Sequence, residues 1–495
     1  MIFHSPLFLF IFLPLTVLFF YQLNKHCNRK AALGWLVFTS FLFYSCRQPA
    51  YLVLLLGSIL FNYFTGAMLA STSPGKKKIF LLVGIGINIS ILSYYKYSLF
   101  ILKNISFLFD YSIEFYHPLL PVAISFFTFQ QIIYLVDIYK GETDQPSLLN
   151  YLLFVSFFPQ LTAGPIVYPK EMLPQFDESD LRFRYSHIAI GGTLIIFGLF
   201  KKIVLADNLA YYVSPVFQSA ESGNSIPFFY AWQGALAYTF QIYFDFSGYS
   251  DMAIGIARLF GIYLPINFNS PYKAGSIIEF WHRWHITLSR FLRVYLYFPL
   301  GGNRKGKKRK HFNLILTMLL GGLWHGAGWT FVIWGGLHGI SLVINHAWRE
   351  FKMTDNPKNI IPPVVSTILS YIITISFVIF SWVFFRAETA SGALNIIQGL
   401  LSFETALLPE SISKDFVYQI ILLTCSANII WLCPNLYQII NVKAEQQDLR
   451  EESLSGSMYK FSFTKKESVI LSFIFFIVLL YLLSDQGVGF IYNDF

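Results

Sequence analysis

The chain has 495 residues, of which 55% are hydrophobic, 19% aromatic and only 13% charged, against about 25% charged in an average soluble domain. That balance excludes an ordinary soluble fold, and it makes length a poor guide to domain count, because one membrane bundle absorbs several hundred residues. The net charge of +9 does not point to nucleic acid: the basic residues cluster in short loops between apolar runs, as topology-setting charge does.

Residues 1–21 are apolar, and Lys25, His26, Arg29 and Lys30 come after them. A cleaved signal peptide has the opposite order, so we expect a retained first helix with its N-terminus outside and its basic end in the cytoplasm. Apolar stretches at about 33–46 and 51–69 carry the chain across and back, which places the basic loop ending at Lys78 in the cytoplasm as well. The next span covers 79–102, where Tyr94, Tyr95, Lys96 and Tyr97 read as an interfacial belt with a snorkelling lysine. The four cysteines, Cys27, Cys46, Cys425 and Cys433, show no ligand spacing.

Residues 121–139 read PVAISFFTFQQIIYLVDIY. Gln131 and Asp137 are read as facing the bundle interior, or Asp137 as capping the span at the interface. Residues 151–162 are too few to cross a core of roughly 30 Å and end in FPQLTAGP, which suggests a re-entrant or broken element, tolerated only inside protein or beside water. A polar loop at 167–186 leads to a span at 188–205, with Lys201 and Lys202 near its end. The aromatic span 228–246 runs into DFSGYSDMAIG, read as a turn at Gly248 followed by another apolar helix to Leu259. Asp245 and Asp251 beside that turn either orient a histidine or organise the turn through side-chain-to-backbone bonds.

Residues 275–299 are too polar for a lipid-facing span and are expected as helices buried in protein or lying at the interface. The strongest basic cluster, Arg304, Lys305, Lys307, Lys308, Arg309 and Lys310, is expected in the cytoplasm. Further apolar segments lie at about 363–385, 416–432 and 469–483, before a tail at 484–495. No repeat of 20–50 residues interrupts the pattern. The expectation is one integral-membrane domain over 1–495, all-α, with about eleven membrane segments plus re-entrant elements.

The chemistry concentrates between residues 280 and 338. His325 sits in GGLWHGAGW, flanked by Trp324, Gly326 and Trp329. An ionisable side chain in an apolar span is expensive and marks a functional site by default, and a neutral imidazole can take a proton from a hydroxyl and return it to a leaving group. A hydrogen-bonded core histidine is the alternative. The surrounding glycines allow close helix approach or leave room for a channel. His338 lies thirteen residues on, about 220° round a continuous helix, so the two histidines are not expected to share a face or a metal. His282 and His285, at i, i+3, are expected on one helical face; two histidines alone do not make a zinc site. There is no HExxH, no Gly-x-Ser-x-Gly elbow and no phosphate-binding loop.

The stretches FWHRWHITLSRFLRVYLYFPLGGNRKGKKRK and MLLGGLWHGAGWTFVIWGGLHG resemble the membrane-bound O-acyltransferase superfamily, and within it the bacterial alginate-acetylating membrane subunits and their peptidoglycan-acetylating relatives. The likeness extends to ISFFTFQQIIYLVDIYKGE, FPQLTAGPIV, YFDFSGYSDMAIG, NFNSPYKA and SWVFFRAE, a core of 121–388. It implies a helical bundle around a funnel or tunnel in the bacterial inner membrane, an essential histidine matching His325, acetyl-CoA as donor and no metal. It also implies a periplasmic partner, an SGNH-hydrolase-like acetyltransferase, that completes transfer to a polysaccharide. Val294 stands where the family carries an acidic residue, so Arg293 receives no catalytic role. Tyr492, in the tail FIYNDF where the family has FIYFQF, resembles an acyl relay. Two other readings remain: D-alanyl or other acyl transfer from a carrier protein, and a polysaccharide-export component without chemistry.

Overall fold

The structure, a computed structural model, describes residues 1–110, 119–177, 181–354, 362–403, 414–440 and 464–484; among them regular structure is helical and no strand occurs. Among the described residues, seven helices are long and apolar enough to cross a membrane. In chain order the elements used below are α1 (Phe8–His26), α2 (Arg29–Ser45), α3 (Pro49–Ser71), α4 (Pro74–Phe109), α5 (Ile124–Lys140), α6 (Leu148–Ser156), α7 (Phe158–Leu161), α8 (Pro169–Asp177), α9 (Tyr185–Glu221), α10 (Phe228–Leu259), α11 (Ile277–Arg283), α12 (Ile286–Phe291), α13 (Gly306–His325), α14 (Trp329–Thr354), α15 (Pro363–Arg386), α16 (Ala390–Leu401), α17 (Lys414–Leu432) and α18 (Lys465–Leu483). The chain folds as two compact units, one of Met1–Leu199, Tyr249–Pro265 and Ile470–Ile474, the other of Phe200–Gly248, Ile266–Val469 and Phe475–Phe495.

In the first unit, helix starts follow local chemistry. Asn28 caps α2 by accepting from the Ala31 N–H, and prolines open α3 and α4, where a missing N–H costs nothing. α5 ends at Gly141, whose φ of +72° is the left-handed turn glycine takes without strain. Gln131 is buried as expected. Its Oε1 accepts from Ser58 Oγ at 2.7 Å and Asn62 Nδ2 at 2.5 Å, and Asn62 in turn exchanges amide bonds with Asn88. That knot ties α3, α4 and α5 together, as polar side chains do between membrane helices.

The broken element exists. α6 stops at Ser156, the chain turns at Phe157 (φ −51°, ψ 109°), and α7 begins one residue later with Pro159 in its first turn. Ser40 Oγ accepts from the Phe158 N–H at 3.1 Å, so the break is satisfied from within the protein. Lys96 corrects the interfacial reading. It is buried in a π-helical stretch of α4, 3.5 Å from Ser125 Oγ, and does not snorkel.

In the second unit, α13 and α14 lie backbone against backbone. A Cβ on Gly322 would fall 2.2 Å from the Phe331 carbonyl oxygen, and one on Gly335 2.3 Å from that of Met318, so the glycines serve close helix approach. The basic cluster extends into the first turn of α13, where cations oppose the helix dipole. Lys307 and Lys310 meet Glu350 of α14 at 3.1 and 3.0 Å, and these bonds hold its carboxyl down at about 2. The expected turn at Gly248 does not form, because α10 runs unbroken through it for 32 residues.

Candidate active site

His325 is the last residue of α13. Gly326 follows in an extended conformation, and α14 starts only at Trp329. A Cβ at Gly326 would lie 2.1 Å from the Phe331 ring, so glycine is what lets the chain leave the helix there. The imidazole is 3% exposed. Ring centroids of Trp324, Trp334 and Phe385 lie at 4.8, 5.1 and 5.1 Å, and that of His285 at 6.4 Å. A basic side chain is thus held in an aromatic, water-poor box at a helix terminus.

The break overturns the premise that separated the two histidines. With α13 and α14 distinct, the helical rotation from His325 to His338 has no meaning, and Trp334 contacts both, His338 at 4.7 Å. What distinguishes them is hydrogen bonding. The Trp281 indole N–H donates to His338 Nδ1 at 3.2 Å, so Nε2 carries the proton and donates to Ser381 Oγ at 3.1 Å. Ser381 passes the chain on to the Val378 carbonyl at 2.8 Å. Both nitrogens of His338 are committed to structure.

His282 and His285 do not share a helical face. α11 ends at Arg283, Trp284 is extended, and His285 takes a left-handed conformation (φ +41°) before α12 begins. His282 is exposed and His285 fully buried. Asn267 Oδ1 accepts from Thr287 Oγ1 at 2.9 Å and from the Thr287 N–H at 3.4 Å, which identifies it as the amide oxygen. His285 Nδ1, 3.0 Å away, is therefore the donor, and Nε2 holds the lone pair. That atom is buried with no hydrogen-bond partner among the described residues. The arrangement offers an uncommitted imidazole lone pair close to His325, with a fixed tautomer.

Of the other expected site residues, Trp324 is buried against His325, Gly326 makes the break, and Trp329 stands 58% exposed at the start of α14. Gln131 belongs to the first unit and its polar knot. Tyr492 lies outside the described residues. Asp245 is placed by a lysine: Lys202 Nζ lies 2.9 Å from it and 2.7 Å from Asp207, all three buried. The sequence reading took Lys202 for the end of a span. The signal available was a lysine inside an apolar run with an aspartate five residues on. Asn267, which orients His285, was missed as well; it lay within NFNSPYKA, unremarked as a polar residue.

Residues 139–383 match the membrane-bound O-acyltransferase family. The chain is 46% identical over 433 residues to a peptidoglycan O-acetyltransferase of Helicobacter pylori, covering 81% of this chain and 80% of the relative. It is 38% identical over 414 residues to a probable alginate O-acetylase AlgI of Pseudomonas putida, covering 81% of each. A teichoic acid D-alanyltransferase of Streptococcus thermophilus is 31% identical over 244 residues, covering 48% of this chain and 59% of the relative.

Proposed function

Because the chain belongs to the membrane-bound O-acyltransferase family, and is an O-acyltransferase, we propose that it takes acetyl groups from cytoplasmic acetyl-CoA and delivers them across the bacterial inner membrane for O-acetylation of a polysaccharide such as peptidoglycan or alginate. The observation that carries the reading is His325, buried in its aromatic box at the α13 break inside the family-matched segment, beside the lone pair of His285. Multi-pass membrane association follows from the seven apolar helices.

In this reading His325 takes the proton from an acceptor hydroxyl as its oxygen forms the ester bond to the acetyl carbonyl carbon. The carbon–sulfur bond breaks, and the same imidazole hands the proton to the departing thiolate. A phenol has a pKa of about 10, so a tyrosine acceptor needs such a base at neutral pH. The aromatic walls exclude water that would hydrolyse the thioester. Tyr492 is the acceptor we infer, passing the acetyl group to an SGNH-hydrolase-like partner outside the cytoplasm.

The test is release of free coenzyme A thiol from acetyl-CoA by the purified full chain, with the C-terminal peptide analysed for an added acetyl mass. Wild type releases thiol and gains the mass. Tyr492→Phe keeps the fold but loses the acetylated peptide, and unchanged polysaccharide acetylation by that variant would refute the relay. The D-alanyltransferase relative favours a second reading, D-alanyl transfer from a carrier protein. Turnover of a D-alanyl carrier but not of acetyl-CoA would establish it.

A further inference from the structure

The aromatic box around His325 holds a hydrogen-bond donor that the chemistry above does not employ. Besides Trp324, three indoles pack round the histidines of the second unit, and an indole N–H can only donate. The Trp281 N–H is committed to His338 Nδ1 at 3.2 Å, and the Trp382 N–H to Tyr272 Oη at 3.1 Å. The third, Trp334, is 1% exposed, and its Nε1 has no hydrogen-bond partner among the described residues. A buried N–H without an acceptor is costly and uncommon in a folded protein.

Packing fixes this indole in place. Its ring stacks on Trp382 at 5.8 Å, meets Phe385 at 5.1 Å and lies 4.7 Å from His338, which is itself tied between Trp281 and Ser381. Its neighbour Gly335 holds α14 so close to α13 that a Cβ there would collide with the Met318 carbonyl oxygen. An indole turning to find an acceptor elsewhere would have to displace these rings. The His325 ring lies 5.1 Å away and perpendicular to it, at 89°.

Acyl transfer supplies an acceptor. As the hydroxyl oxygen bonds to the acetyl carbon and its proton passes to His325, an electron pair of the C=O bond moves onto the carbonyl oxygen. That oxygen carries a negative charge until the carbon–sulfur bond breaks and the carbonyl re-forms. A fixed neutral donor in a water-poor site stabilises such a charge without reorganising. The uncommitted atom of His285, Nε2, presents a lone pair and would repel it, so of the two the indole is the group that suits.

We propose, on the acyl-transfer reading above, that Trp334 is a catalytic residue whose Nε1–H donates to the oxyanion of the tetrahedral intermediate at His325. An N–H resting on a neighbouring ring face makes the opposite predictions.

The test is thiol release by the full chain with 3-benzothienylalanine in place of Trp334, which keeps the ring size and puts sulfur where the N–H was. The kcat falls about a hundredfold, within the range for loss of one oxyanion donor. The KM stays within threefold, and the melting temperature holds or rises, because no buried partner is stranded. Trp334→Phe, read per folded protein, shows the same split between kcat and KM. Wild-type kcat in the benzothienyl protein, or activity lost only in step with melting temperature, would overturn the donor role and leave the proposed base at His325 standing. The oxyanion is common to every thioester, so if wild type turns over a D-alanyl carrier instead of acetyl-CoA, the same comparison is made on that donor. Turnover of no thioester by wild type would refute the acyl-transfer reading and the donor role together.

Discussion

His325 and His338 touch the same tryptophan, yet the structure gives them different work. His338 accepts from Trp281 and donates to Ser381, so replacing it strands two buried polar groups and opens a hole among rings. We expect His338→Ala to lower stability by about 2–4 kcal/mol, seen as a fall in melting temperature with activity lost in step with folded protein. His325→Gln keeps the volume and removes the proposed base. Thiol release from acetyl-CoA should fall at least a hundredfold, within the range for loss of a general base, while the melting temperature stays within a few degrees. Near-normal turnover by His325→Gln would show that another group is the base. His325 was legible in the sequence because a charge-bearing residue between tryptophans and glycines in an apolar run has few structural excuses. His285 was legible as a residue but not in its setting. Its left-handed backbone (φ +41°) leaves only a weak residue-type signal: histidine is enriched in that region, but few histidines adopt it.

At the scale of elements, the α13–α14 pair offers a matched contrast. A methyl at Gly335 would lie 2.3 Å from a backbone oxygen that cannot step aside, whereas one at Gly336 would find its nearest neighbour, Leu319 Cδ2, at an ordinary 3.5 Å. Gly335→Ala should therefore destabilise by about 3 kcal/mol. Gly336→Ala should stabilise by about 0.5–1 kcal/mol through helix propensity. Thermal melting of both in the same detergent checks the opposite signs. α9 and α10 offer a second case, because Lys202 forms ion pairs with both Asp207 and Asp245. Breaking a buried ion pair from one side costs about 3–5 kcal/mol, so Lys202→Met should fold poorly. Adding Asp207→Asn and Asp245→Asn should restore much of the loss, and a Lys202→Met protein melting like wild type would refute the pairing. Each arrangement was readable only in part beforehand. Lysines in apolar spans look like snorkelling ends, as Lys96 did too, and a partner forty-three residues away leaves no local trace. The glycine run was readable as close approach or channel, and only the carbonyl distances separate the two. α10 misled in the other direction: Gly248 suggested a turn, but a single glycine costs a helix only about 1 kcal/mol, which the burial of its neighbours Phe244, Phe246 and Met252 outweighs.

For the whole molecule, the helical membrane architecture was plain from composition, since little else accommodates so much apolar sequence with so few charges. The orientation is carried by charge. Residues 25–30, 76–78 and 304–310 hold most of the concentrated lysine and arginine, and such loops stay on the cytoplasmic face because moving them across is costly. The structure supplies its own reporter for the first of them. Cys27 lies within that loop and is exposed. With Cys46, Cys425 and Cys433 replaced by serine, an impermeant maleimide added to intact cells should leave Cys27 unlabelled, and permeabilised cells should label it fully. Lys77→Cys and Lys305→Cys in a cysteine-free chain should behave identically, because an even number of crossings separates the three loops if all share one side. Labelling of all three from outside would invert the orientation, putting the proposed donor on the wrong side of the membrane for the chemistry proposed at His325. Labelling of one alone would mean an odd number of crossings between it and each of the other two. For residues 76–78, that outcome would require either α2 or α3 to lie within the protein without traversing the bilayer. At 17 residues, about 26 Å long, α2 is the shorter of the two and the one such a result would single out.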